Sequence, residues 1–466
     1  MGDNIIKIRD DKEPIYFTLL GKEFKLSRND KHVKWCSNNT FSELDLHERI
    51  EPWLTALFQS EHLSLLVGSG LTTAIQKVAN KEANNGMCAF TPTSHYADQI
   101  KLKATESAKE TGRGDNPNCE DYIRIMNELL KGLEIMGDHN DEYIELKEEI
   151  NKVINNFTKN ISEIEHQIIF TAEDKKIEAF NTLVMFLMSF ASRTGTRDRL
   201  NIFTTNYDRL IEAGADIAGL HLIDRFVGSL TPIFRSSRLD IDMHYNPPGI
   251  RGEPRYLEGV AKYTKLHGSI DWLSINKNIR KISLPFGATD IDPYFKMPKY
   301  KLENCVQNVP DVPDFSRIMI YPNSSKDRET AEYPYVELFR DFAAALCRPN
   351  STLVTYGYSF GDEHINRVIC DMLTIPSTHL VVLSYDDPMN RIINLCTNSG
   401  RLSQISLLIG NDVANINSLI KYYLPRPSID RHTIRMAELL RQRYDQPDTI
   451  KKPSKEDESK DVDTFS

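Results

Sequence analysis

The stretch that most constrains the fold is His62–Thr72, HLSLLVGSGLT, where a mostly apolar run from Leu63 to Val67 breaks into Gly68-Ser69-Gly70. A run this short and this apolar predicts a strand buried on both faces, as in a parallel sheet. Two glycines at its C-terminal end permit a tight turn and let another group approach the backbone where a Cβ would obstruct it. Thr72 to Val78 can open a helix, so free N–H groups would face whatever sits on the turn. That arrangement suits a dinucleotide phosphate. The GxGxxG fingerprint is incomplete, because Thr73 stands where its third glycine would be, and a plain tight turn is the other reading.

The same punctuation recurs along the chain. NIFTTNYDRLIE from Asn201, KYTKLHGSIDW (262–272), SRIMIYPNSSK (316–326), STLVTYGYSFGDEHINRVI (351–369), HLVVLSYDDP (379–388) and QISLLIG (404–410) each contain a strand, most of them running into a turn. With the first run they make seven strand candidates that alternate with helices, one of these over 331–347. Asp387 is expected as a helix N-cap with Pro388 at the first helical position. The fold class is therefore α/β, a doubly wound, Rossmann-like parallel sheet that binds ligands at its C-terminal strand ends.

Around this core, residues 1–45 are polar except for Ile15–Leu20 and predict an N-terminal arm or small hairpin. An isolated hairpin is marginal in water, so the arm suggests subunit contacts and a homo-oligomer. Ser42 opens a helix with a Ser-x-x-Asp start close to a capping box. Residues 46–425 form the main domain, with an irregular, lid-like segment at 80–118 and a helical insertion at 117–193. The insertion contains Asp121–Met136, Tyr143–Ile169 and a third helix ending in LVMFLMSFAS, whose Met and Phe stripe is core packing. Residues 225–260 and 273–313 are irregular and proline-containing and are expected to cover the strand ends. A C-terminal helix is expected over 426–445 and a disordered, charged tail over 446–466.

Composition narrows the function classes. A net charge of −9 over 466 residues argues against a face dedicated to nucleic acid, so no direct nucleic-acid binding is expected. The seven cysteines contain no CxxC pair, and no zinc site is expected. The sequence has no signal-peptide core and no apolar run of the ~18 residues a membrane span needs. A soluble, cytoplasmic protein with reduced thiols is expected. No GxxxxGK[ST] motif is present, and so no sign of an ATPase of its own.

Three strand ends carry residues that are unusual together. In Thr204-Thr205-Asn206-Tyr207-Asp208, Asn206 can donate and accept at once, which suits a ribose hydroxyl or a water; capping of the next helix is the other reading. In Leu266-His267-Gly268-Ser269, His267 is placed to titrate near neutral pH, or to serve as a structural hydrogen-bonding group. In Gly357-Tyr358-Ser359-Phe360-Gly361-Asp362, a second glycine turn would face the first across the sheet switch point. Two such turns could grip one dinucleotide from both sides, or serve only turn and helix packing.

VGSGL, TTNYD, KLHGS, YPNSSK and GYSFGDEHIN, in this order, resemble the sirtuin fold and, more narrowly, the sirtuin-like domains of bacterial antiphage defence proteins. The resemblance spans about residues 50 to 420. It implies NAD as substrate, bound by Gly68, Ser69, Gly70, Thr205, Gly357 and Ser359, with Asn206 and His267 catalytic and Asp208 at the family's acidic position. It implies a NAD hydrolase that releases nicotinamide and ADP-ribose and depletes NAD in antiphage defence, with a HerA-type ATPase as a partner. A protein deacylase, an ADP-ribosyltransferase or a non-catalytic NAD- or ADP-ribose-binding scaffold are the alternatives. Two departures weaken the deacylase. Thr72-Thr73-Ala74-Ile75 replaces the Pro-Asp-Phe-Arg segment of protein-deacylating sirtuins, and the helices of 121–191 stand in place of their four-cysteine zinc module.

Overall fold

The computed structural model describes residues 3–9, 11–27, 33, 35–36, 39–80, 90–110, 115–117, 119–137, 140–191, 198–236, 241–245, 255–257, 259–275, 278–289, 315–319 and 334–426. The chain opens with β1 (Asn4–Lys7), β2 (Ile15–Leu20), β3 (Glu23–Leu26), β4 (Thr40–Phe41) and α1 (Glu43–Phe58). The expected capping box starts α1: Ser42 Oγ accepts from the Asp45 N–H at 3.2 Å, and the Asp45 carboxylate accepts from the Ser42 N–H at 2.7 Å. β5 (His62–Val67) runs into α2 (Ser69–Ala79), and α3 (Ala97–Glu110), α4 (Cys119–Met136), α5 (Asn140–Ile169) and α6 (Glu173–Ala191) follow. Then come β6 (Leu200–Thr204), α7 (Leu210–Ala218) and β7 (His221–Ile223). Short strands β8 (Phe226–Val227), β9 (Ile233–Phe234), β10 (His244–Tyr245) and β11 (Arg255–Tyr256) lead to β12 (Val260–Lys265), β13 (Gly268–Ile275), β14 (Asn278–Lys281) and β15 (Phe315–Met319). The last units are α8 (Tyr335–Leu346), β16 (Ser351–Tyr356), α9 (Glu363–Leu373), β17 (His379–Ser384), α10 (Arg391–Ser399) and β18 (Ile405–Ile409).

The central sheet runs β4-β3-β2-β1-β18-β17-β16-β5-β6-β12-β7. From β18 to β7 every pairing is parallel. Alternate residues of each central strand enter opposite cores. Leu65, Val67, Ile202, Val354 and Val381 pack on one face, with α1, α2, α6 and α7. Leu66, Phe203, Leu353, Leu380 and Val382 pack on the other, with α8, α9 and α10. Helices on both faces explain why these strands read as unbroken apolar runs. The fold is the expected α/β, doubly wound sheet, and its strand order changes direction between β5 and β16.

The structure revises four local expectations. First, the N-terminal residues read as an arm or small hairpin form the antiparallel β2–β3 hairpin and also extend the central sheet: β1 pairs antiparallel with β18, with Ile5 opposite Ile409 and Ile6 opposite Leu408. Ile6, Ile8 and Phe17 are fully buried there, because they close an otherwise open sheet edge.

Second, the strand candidate of 316–326, of which 316–319 are described, does not join the parallel sheet. β15 pairs antiparallel with β13 in a five-stranded sheet ordered β15-β13-β14-β9-β8, and β7 supplies the seventh parallel strand instead. An apolar run identifies a strand but not its partner, and segments read as irregular coverings supply β8, β9 and β14 of this second sheet.

Third, the helical insertion is divided. α3, in the segment read as loops and short helices, joins α4 and α5 around Ile100, Met126, Leu133, Leu146 and Ile150. α6 belongs to the main core, where Leu183, Phe186 and Phe190 are fully buried. Fourth, the helix after β17 starts at Arg391 rather than Pro388, with Asn390 as N-cap; Asp387 still accepts from the Ile393 N–H at 3.1 Å. The C-terminal helix and tail, apart from residue 426, lie outside the described residues, as do 81–89 and 111–114 of the lid-like segment.

Candidate active site

The site grows from two glycine turns that touch. β5 and β16 are neighbours, with Val67 opposite Tyr356, so their C-terminal turns emerge side by side. The Gly68 N–H donates to Tyr356 O and the Gly70 N–H donates to Gly357 O, each at 3.0 Å. A Cβ on Gly68 would lie 2.4 Å from Gly357 O, and one on Gly70 would lie 2.4 Å from Gly357 Cα. Gly357 itself has φ +61, a left-handed conformation in which glycine has no steric cost. These glycines are needed first for backbone-on-backbone contact. The Gly70 N–H, expected to face a phosphate, is already bound to Gly357.

Above the joined turns lies a cleft of about 940 Å³, within the size range of nucleotide and cofactor sites. Ser69, Gly70, Gly357 and Ser359 line it, as do Lys77 of α2, Ser384 to Met389 after β17 and Arg391 of α10. It sits where the strand order reverses, the place where open α/β sheets bind ligands. The Arg391 guanidinium reaches over the second turn, since a Cβ on Gly361 would lie 2.8 Å from its Nη1. Lys77 Nζ stands 4.8 Å from the centre of the Tyr385 ring. Gly68 and Thr205 are not among the cleft-lining residues. The Thr205 N–H donates to Val67 O at 3.1 Å and so continues the β5–β6 ladder.

Asn206 and Asp208 lie behind the first turn, buried and outside the cleft lining. Asn206 Nδ2 donates to Gly68 O and to Thr72 Oγ1, both at 3.0 Å. Thr72 Oγ1 donates in turn to Asp208 Oδ2 at 2.7 Å. This chain fixes the Asn206 side chain and leaves Oδ1 as its acceptor. Asp208 also accepts from the Leu210 N–H at 3.1 Å, so it starts α7 as well. Burial pushes the Asp208 carboxyl above the usual carboxylate range, against the pull of Lys265, the Thr72 hydroxyl and the Leu210 N–H. It holds the Thr72 hydroxyl that Asn206 contacts.

His267 occupies the turn between β12 and β13 and is 3% exposed. Its Nε2 lies 3.3 Å from Nε2 of His364, in the first turn of α9. His364 stands within the GYSFGDEH run, yet sequence reasoning gave it no role. The signal was its helical position just past the second glycine turn. Lys265 was also missed: its buried Nζ donates to the Tyr207 and Asp208 carbonyls and to Glu212 Oε1, which ties the 206–208 loop to β12. The third missed contact comes from the insertion. Glu165 of α5 accepts from Arg209 Nη2 and from its backbone N–H, at 2.6 and 2.7 Å, and Phe157 packs edge-on against Tyr207. α5 therefore braces the loop that carries Asn206.

Residues 200–399 match the SIR2-like domain family. The matched stretch opens with β6 and closes with α10, so it holds Asn206, Asp208, His267, Gly357 and His364 but not the Gly68–Gly70 turn. Among solved structures, one described as "The Structural basis of Sirtuin Substrate Affinity" aligns over 80% of this chain and 98% of its own, at 12% identity and a TM-score of 0.35. No curated protein matches the chain. Among the described residues, no group of three or more His, Cys, Asp and Glu side chains is arranged to hold a metal ion. None of the described helices is long and apolar enough to cross a membrane.

Proposed function

We propose that the protein hydrolyses NAD at the nicotinamide–ribose bond, giving nicotinamide and ADP-ribose. The observation that carries the reading is the Asn206–Thr72–Asp208 chain, anchored on the carbonyl of the glycine turn that also lines a nucleotide-sized cleft. In this reading the cleft takes the adenosine and pyrophosphate, with Ser69, Ser359 and Arg391 facing them. The nicotinamide ribose crosses the turn to Asn206 and His267.

Nicotinamide leaves as a neutral base with the bonding pair, and C1′ becomes oxocarbenium-like. Asn206 Oδ1 accepts from a ribose hydroxyl or the attacking water and so orients it, which lowers the entropic part of the barrier. Water adds its oxygen to C1′ and gives up one proton, which His267 takes directly or through a ribose hydroxyl. General-base assistance of this kind contributes on the order of 10² to 10⁴ in rate. The SIR2-like match over 200–399 supports NAD as the substrate class. An NAD-depleting role in antiphage defence, with a HerA-type ATPase partner and a homo-oligomeric state, is the biological setting the motif resemblance suggests.

The test is to incubate the purified protein with NAD and follow nicotinamide release, with Asn206→Ala as control. Release that Asn206→Ala abolishes supports the reading. NAD binding without release by the wild type would make the protein a scaffold. Release only when an acyl-lysine peptide is added would make it a deacylase.

A further inference from the structure

We propose that Glu165 of α5 is a positioning residue for the cleavage step, acting through Arg209 to set the 206–209 loop and with it Asn206. This rests on the assignment of Asn206 to NAD cleavage. Glu165 is 1% exposed and Arg209 6%. Charged side chains are almost never buried this deeply unless paired. Here the pairing uses both carboxylate oxygens. Oε1 accepts from the Arg209 N–H at 2.7 Å and from its Nε at 3.3 Å, while Oε2 accepts from Nη2 at 2.6 Å and from the Gly287 N–H at 3.3 Å. Arg209 Nη1 and Nη2 also donate to the Leu284 and Pro285 carbonyls. One carboxylate thus joins three segments: the insertion helix, the residue that starts α7 and the chain beyond β14.

Two features point to positioning rather than to stability alone. Arg209 stands at the N-cap of α7 with no capping bond from its side chain, at a position that favours short polar residues. Its backbone N–H is closed by Glu165 instead. The second feature is the form of the contact. A buried ion pair gives little net stability over apolar side chains of the same volume, whereas a two-pronged arginine–carboxylate contact fixes direction as well as distance. The loop is short, so what holds Arg209 also holds Asn206, three residues earlier. Gly68 and Thr72 hold the Asn206 end of the loop. In its middle, the Tyr207 carbonyl accepts from the Ile270 N–H at 3.2 Å and from Ser269 Oγ at 3.3 Å. Glu165 closes the other end, from a helix outside residues 200–399. Displacement of a reacting group by about 1 Å costs on the order of 10² in rate, so a small shift of Arg209 reaches the chemistry.

The experiment has two arms on the full chain, with Glu165→Gln, which keeps the shape of the side chain and removes its charge. Glu165→Asp, which keeps the charge and withdraws it by one methylene, takes its place if Glu165→Gln does not fold. In the first arm, hydrogen exchange is followed by mass spectrometry without NAD. The amides of 206–210 should exchange about tenfold faster in the variant, with β5 and β16 unchanged. Unchanged protection at 206–210, or acceleration spread equally through β5 and β16, overturns local positioning. In the second arm, steady-state NAD cleavage is measured at a temperature where wild type and variant are both folded. The variant's kcat should fall about tenfold to a hundredfold with KM unchanged. In an Asn206→Ala background the same substitution should cost nothing further, because Glu165 acts through Asn206. Wild-type kcat in the variant, a rise in KM as large as the fall in kcat, or the same loss in both backgrounds overturns the proposal. The exchange arm needs no turnover, so failure of the brace and failure of the NAD-cleavage reading are separately visible.

Discussion

The two sides of the Gly68–Thr72 turn differ in kind. On one side is an open cleft lined by hydroxyls, lysine and arginine. On the other lie two buried, hydrogen-bonded groups, the Asn206–Thr72–Asp208 chain and the His267–His364 contact. One backbone segment serves both. Ser69 and Gly70 face the cleft, while Gly68 O and Thr72 Oγ1 hold Asn206. In the proposed reading, substrate grip and bond cleavage are separable by mutation everywhere except in the turn itself. A buried polar cluster keeps its geometry because each lost partner leaves another group unsatisfied, whereas solvent replaces a lost partner in the open cleft.

The largest effect is expected where the two sides merge. Gly70→Val places a Cβ 2.4 Å from Gly357 Cα, a backbone atom that cannot swing away. It should prevent β5 and β16 from closing side by side and yield little folded protein by circular dichroism and gel filtration. A stable, active Gly70→Val would show that the turns can separate. Next comes Asn206→Ala, which should fold and bind nucleotide yet lose on the order of 10² to 10³ in kcat. Thr72→Val removes the hydroxyl between Asn206 and Asp208 and should lower kcat about tenfold and stability by roughly 1–3 kcal/mol, read by thermal unfolding. On the cleft side, Arg391→Ala should raise KM for NAD several-fold with kcat nearly unchanged. A kcat loss equal to that of Asn206→Ala would erase the division between the two sides.

The smallest effect concerns pH. Because the folded Asp208 pKa is raised, its contribution to stability is full below the unfolded value near 4 and is lost as pH rises through the folded value. Asp208→Asn should therefore lose less stability than the wild type as pH rises from about 4 through the folded value. A steeper decline in the variant would show that Lys265, Thr72 and Leu210 outweigh burial.

Much of this was legible in the sequence because parallel strands buried on both faces must be written as short apolar runs, and their turns as Gly, Asn or Ser. Leu63–Val67, Asn201–Thr205 and Ser351–Tyr356 announced the strands, and the residues just after them named Gly70, Asn206 and Gly357. The sequence also fixed the start of α1, because a capping box is local chemistry. Pairing across long distances was not legible. That β1 closes the edge of β18, that β15 joins a separate sheet, and that α6 rather than all of the insertion enters the core depend on which apolar faces meet. The site shows the same limit. Residue type marked His267, but its partner His364 lies 97 residues away and Glu165 lies 44 residues before Arg209. The glycines were read as room for a ligand, and only packing revealed that Gly68 and Gly70 give room to Gly357. A residue's type states what it can bond, and the tertiary structure decides which bond forms, because burial removes water as the competing partner.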